Sequence, residues 1–237
     1  MQCVIAVCIP MRREFYNHDD EKAKEKDRTY SEFPDAAVFT KLDVKQDGGD
    51  LVVTANYKLG NLDKAQWTIN PSGDLALDYT YNFSGVVDLM GIRFDYPEDQ
   101  VISKRWLGVG PYRVWQNRIH GTQYDVWEND YNDPIPGETF TYPEFKGYFG
   151  DVSWMNIQTK EGTISLTNET PDAYIGVYQP RDGRDRLLYT LPESGISVLN
   201  VIPPVRNKVN STDLCGPSSQ PKRVNGPQTG RVIFRFM

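Results

Sequence analysis

Short segments that alternate apolar and polar residues recur through most of this chain, and they constrain its fold more than any other feature. Residues 50–58 and 74–84 alternate in this way over their whole length. A period of two is typical of a strand that buries one of its faces. The apolar faces are Leu51, Val53, Ala55 and Tyr57 in the first segment, and Leu75, Leu77, Tyr79, Tyr81 and Phe83 in the second. No segment has a helical period of useful length, so the pattern predicts an all-β fold of antiparallel strands.

Turn residues separate these strands and predict a β-sandwich. Further strands are predicted at residues 91–96, 152–159, 162–167, 173–178, 196–202 and 231–236, with turns at 48–49, 70–73, 96–99, 160–162 and 170–172. Residues 17–35 are dense in charge and are expected to be a solvated linker. We therefore divide the chain into an N-terminal arm and linker at 1–36 and a β domain at 37–237. Within that domain, 203–230 is expected to be a long functional or disordered loop.

Composition excludes several classes of partner. The chain of 237 residues has a net charge of −6, which disfavours binding to nucleic acid or to an anionic membrane surface. No apolar run approaches the roughly 20 residues needed to cross a bilayer. The three cysteines have no metal-ligand spacing, and no metal or cofactor is expected. The apolar start of the chain lacks the features of a signal peptide, so the location is left open between the cytoplasm and, for part of an exported protein, the periplasm.

Residues 105–154 contain four of the five tryptophans, together with arginine, histidine, glutamate and lysine side chains. Aromatic faces among planar hydrogen-bonding groups suit a sugar, which stacks on a ring while its hydroxyls need donors and acceptors. Large aromatic residues also dominate ordinary cores, so the same composition fits a packed β-core. The candidate sugar-binding residues are Arg113, Trp115, Arg118, His120, Trp127, Glu144, Lys146 and Trp154. No catalytic residue is assigned.

Acid–base chemistry has few candidates within this stretch. His120 is the histidine best placed to act as an acid or base, since the other, His18, lies in the charged linker. Carboxylate pairs such as Asp125 with Glu128 could serve a glycosidase only across a suitable gap, which sequence spacing does not establish. Gly108 and Gly110 lack the context of a phosphate-binding loop, and we expect them to form a tight bend near Trp106.

The segment Trp106-Leu-Gly-Val-Gly-Pro-Tyr, followed by Asn117-Arg118, resembles the small-chain domain of family 2 β-galactosidases. Residues 79–97 (YTYNFSGVVDLMGIRFDYP) and 142–148 (YPEFKGY) are similar to the same family. The resemblance covers roughly residues 37–236. It implies an antiparallel β-supersandwich, similar to galactose mutarotase, in which Trp106 belongs to the core.

In that family the domain accompanies a separate (β/α)8 barrel that holds the catalytic glutamates. The resemblance therefore implies a non-catalytic, carbohydrate-binding accessory domain whose partners are a galactoside-like sugar and the barrel. In the family a loop of this domain lends an aromatic residue to the barrel's sugar site, and Trp154 or Tyr148 would fill that role here. Two alternatives are a stand-alone aldose 1-epimerase, with His120 as acid and Glu144 or Glu128 as base, and a purely structural docking module.

Overall fold

The computed structural model describes residues 5–7, 38–58, 62–87, 90–94, 96–97, 100–130, 147–177, 195–204, 216–219 and 222–237. The strands among these residues all pair antiparallel, as the sequence predicts, and Pro217–Ser219 form a short 3-10 helix. The strands are β1 (Ile5–Val7), β2 (Val38–Asp47), β3 (Asp50–Lys58), β4 (Leu62–Ile69), β5 (Leu75–Asn82), β6 (Gly85–Val87), β7 (Met90–Phe94), β8 (Val101–Gly110), β9 (Gln123–Asp130), β10 (Trp154–Thr159), β11 (Gly162–Asn168), β12 (Tyr174–Val177), β13 (Ile196–Val201), β14 (Lys222–Val224) and β15 (Pro227–Phe236). No helix in the described part of the chain has the length and apolar character to span a membrane.

Nine strands form one large sheet in the order β2-β3-β4-β5-β15-β11-β10-β8-β9. Its first four strands are a meander, because β2 to β5 pair with one another in sequence order. Gly48 and Gly49, which join β2 to β3, both have positive φ (65° and 142°), a conformation that glycine adopts without a Cβ clash. The Asn70 side chain closes the β4–β5 turn by accepting a hydrogen bond from the Asp74 N–H, at 2.9 Å.

The strand at the centre of this sheet comes from the end of the sequence. β15 pairs with β5 on one side and with β11 on the other. Thr170 fixes this arrangement: its hydroxyl donates to the Arg231 carbonyl at 3.0 Å and accepts from the Arg231 N–H at 2.9 Å. The meander β2–β5 and the strands β8–β11 are therefore joined through β15.

A second layer, of order β1-β7-β13-β12, covers part of one face of the large sheet. Phe94 of β7 contacts Trp67 of β4 and Phe234 of β15, with ring centroids 6.2 and 4.9 Å apart. At the other side of the layer, β12 is bridged to Phe149, whose ring lies 4.7 Å from that of Trp106 in β8. The layer thus lies over β4 to β8, and its outermost strand β1 is on the side of β2.

The main core lies between the two layers and consists of aromatic and branched side chains from both. Trp106 is fully buried there, as the family resemblance implies. Burial of such large apolar surfaces is the dominant favourable term in folding. A smaller cluster extends this core at the end of β8 and contains Val114, Trp115, Tyr148, Leu199 and Ile202.

The strand predictions hold in the middle of elements and are less accurate at their ends. Residues 50–58 form a strand with the predicted bounds, whereas β5, β10 and β13 are respectively three, two and one residues shorter than predicted. The predicted loop at 203–230 is wrong in its last part, where Lys222–Val224 and Pro227–Phe236 are strands. Residues 17–35 lie outside the described part of the chain, so the predicted linker stays a prediction.

Candidate functional site

The WLGVGP segment is the end of strand β8, and its glycines serve close packing rather than the predicted bend. Gly108 and Gly110 both lie within the strand. A Cβ on Gly108 would be 2.9 Å from the carbonyl oxygen of Gly150, and one on Gly110 would be 2.5 Å from the indole ring of Trp127. The expectation of a bend at these glycines is therefore wrong. The chain turns after them, beyond a cis peptide bond between Gly110 and Pro111.

After this turn, Val114 and Trp115 attach the chain to the sandwich. Val114 and Tyr148 exchange two backbone hydrogen bonds, of 2.7 and 2.9 Å. The Trp115 side chain is fully buried and meets the Tyr148 ring edge to face, with centroids 5.5 Å apart. Trp115 and Arg118 also exchange backbone hydrogen bonds, which close a tight turn at residues 115–118. The turn is therefore anchored by an aromatic side chain beneath it.

Two segments that are distant in sequence bind the turn at residues 115–118 through hydrogen bonds. The Gln116 N–H donates to the Pro203 carbonyl at 3.1 Å, and the Gln116 side-chain amide donates to the Ser218 carbonyl at 2.9 Å. The Asn117 side-chain amide donates to the Ser219 hydroxyl at 3.0 Å. Residues 111–122, 147–150, 202–204 and 216–219 thus meet at one end of the sandwich, and we name them the loop cluster.

The loop cluster contains four of the candidate sugar-binding residues. Arg118 and His120 are exposed. Tyr112, which was not a candidate, lies in the same loop cluster and is 47% exposed. Arg113 is only 6% exposed, and Trp115 is inaccessible. A buried Trp115 has no free face on which a sugar could stack, so its position favours a bracing role. Arg118 and His120 carry nitrogen donors at the surface, of the kind that a ligand hydroxyl can accept from.

The other two tryptophans among the candidates lie on opposite faces of the large sheet. Trp127 of β9 pairs with Trp106 and packs against the main core, and its indole N–H donates to the Gln123 carbonyl at 3.2 Å. Trp154 of β10 pairs with Leu107, so its side chain lies on the outer face. Tyr124 lies on that outer face too, and its hydroxyl is 2.7 Å from the Ser153 hydroxyl. The structure therefore does not gather the tryptophans into one site.

The remaining candidates are not brought together by the described residues. Glu144 and Lys146 lie outside the described part of the chain. Asp125 and Glu128 are three positions apart on β9, so they project from opposite faces of the sheet and cannot flank one bond. Among the described residues, no three His, Cys, Asp or Glu side chains form a group that could hold a metal ion.

A tyrosine near the loop cluster has a shifted pKa. Burial raises the pKa of Tyr174, and the nearby negative charges of Asp151 and Asp172 raise that pKa further. Tyr174 packs against the same small core as Trp115 and is therefore a neutral hydroxyl at physiological pH. The cluster offers hydrogen-bonding side chains on a fixed backbone, which is suited to binding a polar ligand.

Sequence reasoning missed the contacts that fix the loop cluster. Gln116, Ser218 and Ser219 were not candidates, although they join segments 102 residues apart. No local sequence pattern predicts such pairs, because side-chain hydrogen bonds between loops do not produce a periodicity in the sequence. The one available indication was that Asn117 and Arg118 stand at fixed distance after the WLGVGP segment.

Comparisons with known proteins place the chain in a family. No curated protein sequence matches it. Among solved structures, the GalM/aldose epimerase homologue from C. elegans is similar over 84% of this chain and 69% of that chain, at 8% identity and a TM-score of 0.36, and we base no conclusion on that likeness. The family described as the beta galactosidase small chain matches residues 11–201, which is most of the sequence. The chain therefore belongs to the β-galactosidase small-chain family.

Proposed function

We propose that this chain is a non-catalytic, carbohydrate-binding accessory domain of a family 2 β-galactosidase, which supports a sugar site on a separate catalytic barrel. The observation that carries the proposal is the loop cluster. Its turn is anchored by buried Trp115 below and by Pro203, Ser218 and Ser219 at the side, while Arg118 remains exposed. A loop fixed before binding loses little conformational entropy when a ligand arrives.

The chemistry of the exposed side chains fits hydroxyl groups. The Arg118 guanidinium offers planar donors, and the His120 imidazole can donate or accept. A site made of a few exposed side chains that is open to solvent binds a monosaccharide weakly unless a second surface covers it. We therefore assign the barrel the other half of the sugar site, and we expect millimolar affinity from the chain alone.

The direct test is a titration of the purified chain with methyl β-galactoside, followed by NMR chemical shifts and by tryptophan fluorescence. We expect saturable shifts in the amides of residues 116–120. Arg118→Ala should weaken binding about tenfold, since a hydrogen bond to a charged group contributes about 1.5–3 kcal/mol. Lys160→Ala, in the turn between β10 and β11, is the control and should bind like the wild type.

The structural alternative predicts a different result. Trp106 and Trp115 are both buried, which also fits a module that only docks on its barrel. A folded chain that shows no shifts at saturating sugar would exclude independent binding. Restored galactosidase activity on mixing with the barrel, unaffected by Arg118→Ala, would then identify the docking module.

A further inference from the structure

The edge strand β2 leaves an apolar face open to solvent. Val44, Phe39 and Leu42 are 58%, 54% and 51% exposed, and Leu51 of the paired strand β3 is 42% exposed. The pairing of Leu42 with Ala55 and of Val44 with Val53 places this row on the same sheet face as the core residues Ala65 and Leu77. The inner face of the large sheet therefore continues, uncovered, past the core.

The aromatic contacts described for the second layer lie over β4, β15 and β8 and not over β2. Its strand β7 lies over β4 and β15 through the contacts of Phe94, and only the three-residue strand β1 lies further toward β2. Among the described residues, β2 has a hydrogen-bonded neighbour on one side alone. Because alternate residues of a strand direct their N–H and C=O groups to opposite sides, half of the backbone groups of β2 point to this open edge.

The outer face of β2 carries charges of alternating sign. They are, in order, Lys41, Asp43, Lys45 and Asp47. Within the strand Lys41 contacts Asp43, and the Lys45 Nζ lies 3.0 Å from Asp47 Oδ2. All four side chains are about half exposed or more. An edge that carried charges of one sign would repel a second copy of itself, whereas alternating charges can match it.

The match between the charges of two copies of β2 depends on the residue at which the two-fold axis lies. With the axis at Val44, an antiparallel second copy puts Lys41 opposite Asp47 and Asp43 opposite Lys45, so every facing pair has opposite charge. Directly opposed residues share a sheet face, so Val44 meets Val44 of the second copy on the inner side. An axis at Asp43 or Lys45 instead opposes like charges. An axis at Leu42 or Gln46 also opposes unlike charges, but it forms two such pairs instead of the four formed about Val44. The charge pattern thus favours the axis at Val44.

We propose that β2 is a self-association edge, at which two copies of this chain pair antiparallel about Val44 and join their large sheets. The interface is isologous, as in most two-fold dimers. On its inner face Val44 meets Val44 and Leu42 lies opposite Gln46, and its charged rows pair on the outer face. One strand edge is a small interface, so the dimer is weak and forms at micromolar or higher concentration.

Sedimentation equilibrium of the full chain, from micromolar to millimolar concentration, tests the proposal. We expect a monomer–dimer equilibrium in the wild type. Val44→Lys places two like charges at the axis and should weaken the dimer roughly tenfold or more. Val126→Lys is the matched control, since Val126 is an exposed valine (41%) on β9 at the opposite edge of the same sheet. This variant should dimerise like the wild type.

A charge-inverted chain tests the register. Exchanging all four charges (Lys41→Asp, Asp43→Lys, Lys45→Asp, Asp47→Lys) keeps the pairs within the strand and those between identical copies. It should therefore dimerise with itself, yet it opposes like charges when paired with the wild type. Differently tagged wild-type and inverted chains should not co-purify as a mixed dimer.

Three results would overturn the proposal. A wild-type monomer at millimolar concentration would do so, and hydrogen exchange would then show whether another segment of the chain or an added catalytic barrel protects β2 instead. A dimer that tolerates Val44→Lys would use another surface. Mixed dimers that form as readily as identical ones would rule out the register. None of these outcomes depends on sugar binding.

Discussion

On the inner face of the large sheet, the two edges use their aromatic residues in opposite ways. At the β8–β9 edge, Trp106 is fully buried and Trp127 packs over Gly110. At the β2 edge, Phe39 has comparable apolar area but is 54% exposed. The difference follows from the second layer, whose described aromatic contacts lie over β4, β15 and β8 and not over β2. An apolar residue in a strand is thus buried only where another layer covers it.

The largest effect should come from truncating the buried aromatic residue at the covered edge. Trp106→Ala removes a fully buried indole that contacts Phe149, and large-to-small core changes of this kind cost about 3–5 kcal/mol. Phe39→Ala at the open edge should lower the free energy of unfolding by less than about 1 kcal/mol. Urea unfolding at low micromolar concentration, where the proposed dimer dissociates, compares the two. Equal losses would contradict the contrast between the edges.

A smaller effect should follow from one added methyl group. A Cβ at position 110 would lie 2.5 Å from the Trp127 ring, so Gly110→Ala must displace that ring or the strand. We expect a loss of about 1–3 kcal/mol, the usual range for overpacking. Gly216→Ala, where no atom lies within 4 Å of the added Cβ, is the control and should change stability by about 0.5 kcal/mol at most. A tolerated Gly110→Ala would show that the covered edge is loosely packed.

The smallest effect concerns the pKa of Asp74, a residue that lies between the two edges of the large sheet. The side-chain hydrogen bond from Arg235, and then that from Asn70, hold the pKa of Asp74 below its ordinary value of 3.8. This lowered pKa stabilises the fold above pH 3.8, and the contribution is lost as pH falls through the lower, folded-state pKa. In Arg235→Gln the pKa of Asp74 should rise toward its ordinary value, as measured by carboxyl NMR. Lys45→Gln, at the open edge, should leave that pKa unchanged.

Sequence alone predicted the fold class and several strands, because alternation is strong where one face is buried. The strand at residues 50–58 is an example, although its Leu51 proves to be exposed. Strands β2, β4, β8 and β9 were not predicted. In β8 and β9, glycines and charged residues interrupt the alternation, since Gly108 and Gly110 provide room for backbone and for Trp127.

The candidate site was predicted only in part. The stretch with four tryptophans indicated a single aromatic surface, but β8, β9 and β10 place those residues on two faces of one sheet. Which face a tryptophan occupies depends on strand register, and no local composition reveals the register. Arg118 and His120 are on the surface of the loop cluster, and their role in sugar binding stays a prediction. The segments that position them come from residues 202–219.

The central place of β15 has a consequence for how the chain folds during synthesis. The meander β2–β5 and the strands β8–β11 each leave the ribosome long before residues 227–236 do. Within the described strands, β5 and β11 each pair with β15 and not with each other. Until the last strand emerges, both halves hold an open hydrogen-bonding edge. We expect the sheet to close in one late, long-range step, which makes nascent chains dependent on protection from aggregation.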